Sequence, residues 1–142
     1  MEPIDILLVD DDPADVELTR IALRDAGVQV RLHVTGDGVE ALRFLRRDGP
    51  YRAAARPALI LLDLNMPRMD GRDVLKAIKP DPELRSIPVL VLSTSHEERD
   101  IAEAYRLHAN SYVPKPYDMT GFVEVVRAID AFWLQAARLP EA

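Results

Sequence analysis

Three short, nearly continuous apolar runs constrain this chain more than any other feature. Ile4 to Val9, Ala58 to Leu62 and Val89 to Leu92 carry apolar residues at neighbouring positions, not at alternate ones. That is the pattern of strands buried on both faces of a parallel sheet. A fourth stretch, "VQVRLHV" (28–34), alternates instead. Val28, Val30, Leu32 and Val34 fall on one side and Gln29, Arg31 and His33 on the other, which predicts a strand near a sheet edge. "NSYVPK" (110–115) is a weaker fifth, and Pro114 places it at an edge as well.

Helical stripes separate these runs. After Asp12-Pro13, a cap residue followed by proline at the first helical position, come Ala14, Leu18, Ile21 and Ala22. Gly38, Ala41, Leu42 and Leu45 form a second stripe, and Val74, Leu75 and Ile78 a third, stopped by Pro80 and Pro82. Ile101, Ala104, Tyr105 and Leu107 form the fourth, and Phe122, Val126, Ile129 and Trp133 the fifth. Strand followed by helix, repeated along the chain, predicts an α/β domain with a doubly wound parallel sheet covered by helices on both faces. The long connection "RRDGPYRAAARP" (46–57) reads as a solvated basic surface.

The totals narrow the function classes. A chain of 142 residues suits one domain with a substantial core. Eighteen basic against 24 acidic residues leave a net charge of −6, which argues against nucleic acid as a partner. With no cysteine, disulfides, thiolate metal sites and thiol catalysis are excluded. The start, "MEPIDILLVDDD", is acidic where a signal peptide is basic, and no run is long enough to span a bilayer. A cytoplasmic protein without membrane contact is expected.

In an open parallel sheet, ligands gather beyond the carboxyl ends of the strands. The first run ends in Asp10-Asp11-Asp12, the third in Asp63, the fourth in Ser93-Thr94, and the fifth is followed by Lys115-Pro116. Adjacent first and third strands crowd several carboxylates together, and such like charges repel by roughly 4 kcal/mol at 4 Å and an effective dielectric near 20. A hard divalent cation relieves that repulsion, and Mg²⁺ suits it because it takes few protein ligands and keeps several waters. Carboxylates, a cation, a lysine and a hydroxyl together point to phosphoryl chemistry. Asp63 is expected to be the nucleophile, with Lys115 neutralising charge on the transferring oxygens and Ser93 donating a hydrogen bond to another. Asp12 serves as a helix cap. His33, His96 and His108 lack metal-ligand spacing and are read as structural or solvated.

Over residues 3–131 the sequence resembles the receiver domain of two-component response regulators. The residues that carry the resemblance are Asp10-Asp11, Asp63 in "DLNMPRMDG", Ser93, and Lys115-Pro116. It implies a flavodoxin-like sheet of order 2-1-3-4-5 and Mg²⁺-dependent transfer of a phosphoryl group from a sensor histidine kinase to Asp63. It further implies that Asp11, Asp63 and the main-chain carbonyl of Asn65 ligate the metal, with Asp10 acting through water. The Lys115–Pro116 bond would be cis. Ser93 and Tyr112 would form the switch, Tyr112 turning into space that Ser93 vacates on phosphorylation, and the fourth helix, fifth strand and last helix would present the signalling surface.

"ILLVDDDPADVELT", the long loop after the second helix and a C-terminal "FWL" look like the single-domain regulators paired with bacterial phytochrome-like sensor kinases. The expected organisation is a receiver over 1–131 with 132–142 extending the last helix and no output domain. No enzymatic turnover is expected beyond self-catalysed phosphotransfer and dephosphorylation. A wide apolar face on the last helix, with Phe132 and Trp133, predicts a homodimer. Other readings fit less well. A haloacid-dehalogenase-type phosphatase places its nucleophile after the first strand, a flavodoxin-like cofactor module needs an uncharged phosphate-binding loop there, and a phosphorylation-independent interaction module would leave Asp63 unused.

Overall fold

A computed structural model describes residues 3–140. In chain order the elements are β1 (Ile4–Val9), α1 (Pro13–Asp25), β2 (Val30–Thr35), α2 (Gly38–Arg46) and β3 (Leu59–Leu62). They continue as α3 (Gly71–Ile78), β4 (Val89–Ser93), α4 (Glu98–Arg106), β5 (Ser111–Pro114) and α5 (Met119–Ile129). A 3₁₀ turn at Gly49–Tyr51 interrupts the basic connection, and a π-helical segment, Asp130–Ala136, continues α5.

The five strands pair in parallel in the order β2-β1-β3-β4-β5. Side chains alternate across a strand, so each apolar run feeds two cores. Leu7, Val9, Ile60, Leu62, Val89 and Val91 face α2, α3 and α4, where Leu42, Val74, Leu75, Ile78 and Ala104 meet them. Ile6, Leu8, Leu59, Leu61 and Leu90 face the other way and pack with Val16 and Ile129. On that side α1 and α5 close over one another through Ala22, Leu23, Phe122 and Val126.

Aspartate caps four of the five helices. The side chains of Asp12, Asp37, Asp70 and Asp118 accept from the backbone N–H of Ala14, Glu40, Asp73 and Gly121. Each satisfies a donor that the first turn leaves without a helical partner and places negative charge at the positive end of the helix. For α4 there is no such side-chain cap.

Several details depart from the sequence reading. Ala14 is exposed, and Thr19 and Leu23 are buried with Ala22 instead. Tyr105 is also exposed, leaving Ala104 as the buried residue of α4. The edge strand begins at Val30, after Gln29 has accepted from the Ile4 N–H. Among the described residues no peptide bond is cis, so Lys115–Pro116 is trans and the cis expectation is corrected. Trans is the isomer X-Pro bonds favour by about 0.5–1 kcal/mol.

Candidate functional site

Register brings the acidic residues together. Val9 pairs with Leu62, so Asp10 and Asp63 leave the sheet side by side at its carboxyl edge. The Asp63 N–H donates to the Val9 carbonyl at 2.9 Å, and the Asp10 N–H to the Thr35 carbonyl at 3.0 Å. Carboxylate oxygens of Asp10, Asp11 and Asp63 lie within 4.8 Å of one another, with Asp10 and Asp63 buried and Asp11 exposed. From the far side of the sheet Lys115 enters, buried, its N–H held by the Ser93 carbonyl at 2.6 Å. Its ammonium donates to Asp10 Oδ2 at 2.9 Å and lies 3.5 Å from Asp63 Oδ2.

Gly71 lets the segment after Asp63 fold back tightly. Its N–H donates to the Leu64 carbonyl at 2.9 Å. A Cβ there would collide with the Asp63 carbonyl oxygen and the Leu64 Cα, so no larger residue fits without moving the acidic loop. Asn65 is exposed, and its N–H reaches back to Asp63 Oδ1 at 3.4 Å.

Burial sets the electrostatics. It lifts the Asp63 carboxyl to about 6; the Lys115 charge pulls it down and the neighbouring Asp10 pushes it further up. Asp10 is raised by the same desolvation, against the Asp12 N–H and the Lys115 ammonium that favour its charged form. For Lys115 burial works against the ammonium, but hydrogen bonds to Asp15 and Asp10 and the charge of Asp63 hold it above its ordinary value. The site thus contains a carboxyl held above its ordinary titration range by burial, beside a firmly charged lysine.

The donor set fits a hard cation: three carboxylates, no sulfur or imidazole, and one carboxylate open to solvent. Both Asp10 oxygens are already engaged, Oδ1 by the Asp12 N–H at 2.9 Å and Oδ2 by Lys115.

Ser93 is fully buried at the end of β4, and its hydroxyl oxygen accepts from the Ser95 N–H at 3.2 Å; Thr94 is exposed. Tyr112 is half-buried against the core on the α3–α4 side, and its hydroxyl donates to the Ser95 carbonyl at 2.9 Å. Its ring is therefore turned inward and tied to the loop before α4 while Ser93 stays bonded to the Ser95 N–H, so the inward position does not require Ser93 to move as the resemblance implied. Phe132 is exposed while Trp133 is half-buried, their rings edge to face at 5.3 Å. The three histidines hold no metal-ligand cluster among the described residues: His33 bonds Asp5 at 2.9 Å, and His96 and His108 are exposed.

One residue of the site escaped the sequence reading. Asp15, on the first turn of α1, accepts from Lys115 at 2.8 Å. An acid in a helix's first turn looks like ordinary dipole compensation. The available clue was its place three residues after the Asp12 cap, over the strand that ends in Asp10.

The response regulator receiver domain model matches residues 6–127. Response regulator Rcp1 of Synechocystis is 44% identical over 137 residues, covering 96% of this chain and 93% of that protein. The crystal structure of the phosphorylated cyanobacterial phytochrome response regulator RcpA superposes with a TM-score of 0.92 at 46% identity, covering 98% of this chain and 99% of that one. The Mn²⁺-bound form of Rcp1 gives 0.90 at 43% identity, covering 98% of this chain and 100% of that one. With the acidic pair, the lone aspartate and the lysine set at the ends of the strands in the order found here, the chain belongs to the response regulator receiver domain family of two-component signalling.

Proposed function

We propose that Asp63 accepts a phosphoryl group from a sensor histidine kinase, in a reaction that needs Mg²⁺, and that the change is passed to the α4-β5-α5 surface. The observation that carries this reading is the buried Asp63 carboxylate, packed with Asp10 and Asp11 and facing the Lys115 ammonium at 3.5 Å. An Asp63 oxygen attacks phosphorus, the O–P bond forms as the P–N bond of phosphohistidine breaks, and the imidazole leaves with the electron pair and takes up a proton. Lys115 turns its charge toward the transferring oxygens, and Ser93 offers its hydroxyl to one of them. Asp11, Asp63 and the Asn65 carbonyl would hold Mg²⁺, which would supply the remaining charge neutralisation. Asp10 contributes through water, a role supported by the engagement of both its oxygens elsewhere.

Once Asp63 is phosphorylated, Ser93 is drawn toward it, and the inward Tyr112 ring, bonded to Ser95, links that movement to α4. The likeness to RcpA and Rcp1 supports a phytochrome-type kinase as the partner. The exposed Phe132, beside a hollow of about 240 Å³ lined by Leu90, Val113, Val125 and Trp133, supports a homodimer through that face. We place the protein in the cytoplasm, in keeping with a kinase partner. No helix among the described residues is long and apolar enough to cross a membrane.

Incubation with a phosphorylated phytochrome-type kinase tests the reading. The label is expected to pass to the wild type in Mg²⁺, to stop in EDTA, and to be absent from Asp63→Asn. Undiminished labelling of Asp63→Asn would remove Asp63 from the acceptor role.

A further inference from the structure

An ammonium has three protons to give, and Lys115, only 4% exposed, has three carboxylates around it. Two contacts are short, 2.8 Å to Asp15 and 2.9 Å to Asp10, and the third, to Asp63, is 3.5 Å. Asp10 belongs to the acidic cluster; Asp15 stands outside it on α1. The resting lysine is thus held most closely by residues other than the acceptor.

A phosphoryl group on Asp63 would bring about two negative charges and three strong acceptor oxygens. To close on them Lys115 must move from its 3.5 Å distance to Asp63, and, enclosed as it is, it moves only by stretching one of the two short bonds it already has. The bond to Asp10 is expensive to lose, because that side chain is 2% exposed and would be left as a desolvated carboxylate without its counterion. Asp15 is 24% exposed and regains water when released. The Asp15 bond is therefore the one that yields.

We infer that Asp15 is a positioning residue that holds Lys115 in reserve and is displaced when a phosphoryl group arrives on Asp63. The inference rests on Asp63 being the acceptor. Asp15 pre-places the ammonium at the site, 3.5 Å from the acceptor and short of full contact with it, and its release ties the N-terminus of α1 to the phosphorylated state. Detaching a charge-assisted hydrogen bond counts against phosphoryl binding. Removing the charge of Asp15 therefore strengthens that binding, by about tenfold if roughly 1.4 kcal/mol is recovered.

Beryllofluoride, a phosphoryl mimic, is titrated with Mg²⁺ into the wild type, Asp15→Asn, and Asp12→Asn. The last removes the same charge from an exposed cap that does not touch Lys115 and that asparagine also fills. The Lys115 ammonium resonance is followed in parallel by nitrogen NMR. Asp15→Asn should bind about tenfold more tightly, and its unliganded ammonium signal should already lie toward the wild-type liganded position. Asp12→Asn should change neither. Equal tightening in both variants, or none in Asp15→Asn, overturns the inference. Should Asp15→Asn fail to fold, Asp15→Ser removes the same charge and carries the same expectation. A wild type that does not bind the mimic with Mg²⁺ contradicts the acceptor reading itself, and the inference with it.

Discussion

Asp63 is costly to keep. Burial beside Asp10 lifts the Asp63 carboxyl to about 6 in the folded protein, against 3.8 for an aspartate in the unfolded chain. The folded state therefore retains the proton to higher pH than the unfolded chain, and this residue's contribution to stability falls as pH rises from about 4 to about 6. Above that window the ionised side chain costs the fold roughly 3 kcal/mol. Asp63→Asn should accordingly raise the unfolding free energy by about 2–3 kcal/mol at pH 7 without divalent metal, and by almost nothing near pH 3, where the wild-type residue is neutral in both states. Urea unfolding in EDTA at the two pH values checks this, and a variant no more stable than wild type at pH 7 would contradict it. At this scale the sequence was informative because a lone carboxylate at the end of "LILL" needs a reason to be there. It was silent on Asp15, whose partner lies a hundred residues away. Only the folded sheet shows that a first-turn acid meets a lysine from another strand.

The strands were the most legible elements and α4 the least. Ile4–Val9 and the four leucine and isoleucine residues of β3 have no choice of face, since both sides of the sheet are covered. The helix α4 is polar over most of its surface and has no side-chain N-cap. What holds it is tertiary. Arg72 of α3 bonds Asp100 at 3.0 Å and also pairs with Glu103, while Ser95 donates to Asp100 at 2.6 Å. The same Ser95 offers its carbonyl to Tyr112, so the inward aromatic and the helix share an anchor. The Arg72 and Tyr112 bonds join residues 17 to 31 positions apart and leave no periodic trace. Removing this arginine should loosen α4 locally. Arg72→Ala should speed amide exchange across residues 98–106 by about tenfold, as expected for losing roughly 1.4 kcal/mol of local stability, and leave α1 unchanged. Exchange that is unaltered in α4, or raised throughout the molecule, would show that the cluster does not act as a local clamp.

For the molecule as a whole, the sheet gathers its chemistry at one edge and leaves an apolar surface at another. The sequence foretold the order of the strands only through the family resemblance. Apolar periodicity identifies strands without saying which neighbours which. It also ran the stripe of the last helix through Trp133, whereas regular α-helix ends at Ile129 and a π-helical turn carries Phe132 and Trp133. The Phe132 ring, 57% exposed, is the feature on which the proposed dimer depends. Equilibrium sedimentation at tens of micromolar should give a dimer for the wild type and a monomer for Phe132→Asp. A wild-type monomer would remove the dimer from the account. That this buried constellation exists to be phosphorylated can be read from the intact mass of the protein. The protein and Asp63→Asn are each incubated with a small phosphodonor, with and without Mg²⁺. A single phosphoryl adduct on the wild type that requires Mg²⁺ and is absent from the variant is predicted. A folded wild type that acquires no adduct, from the small donor or from a kinase, would contradict the account and leave a receiver fold that signals through contacts alone.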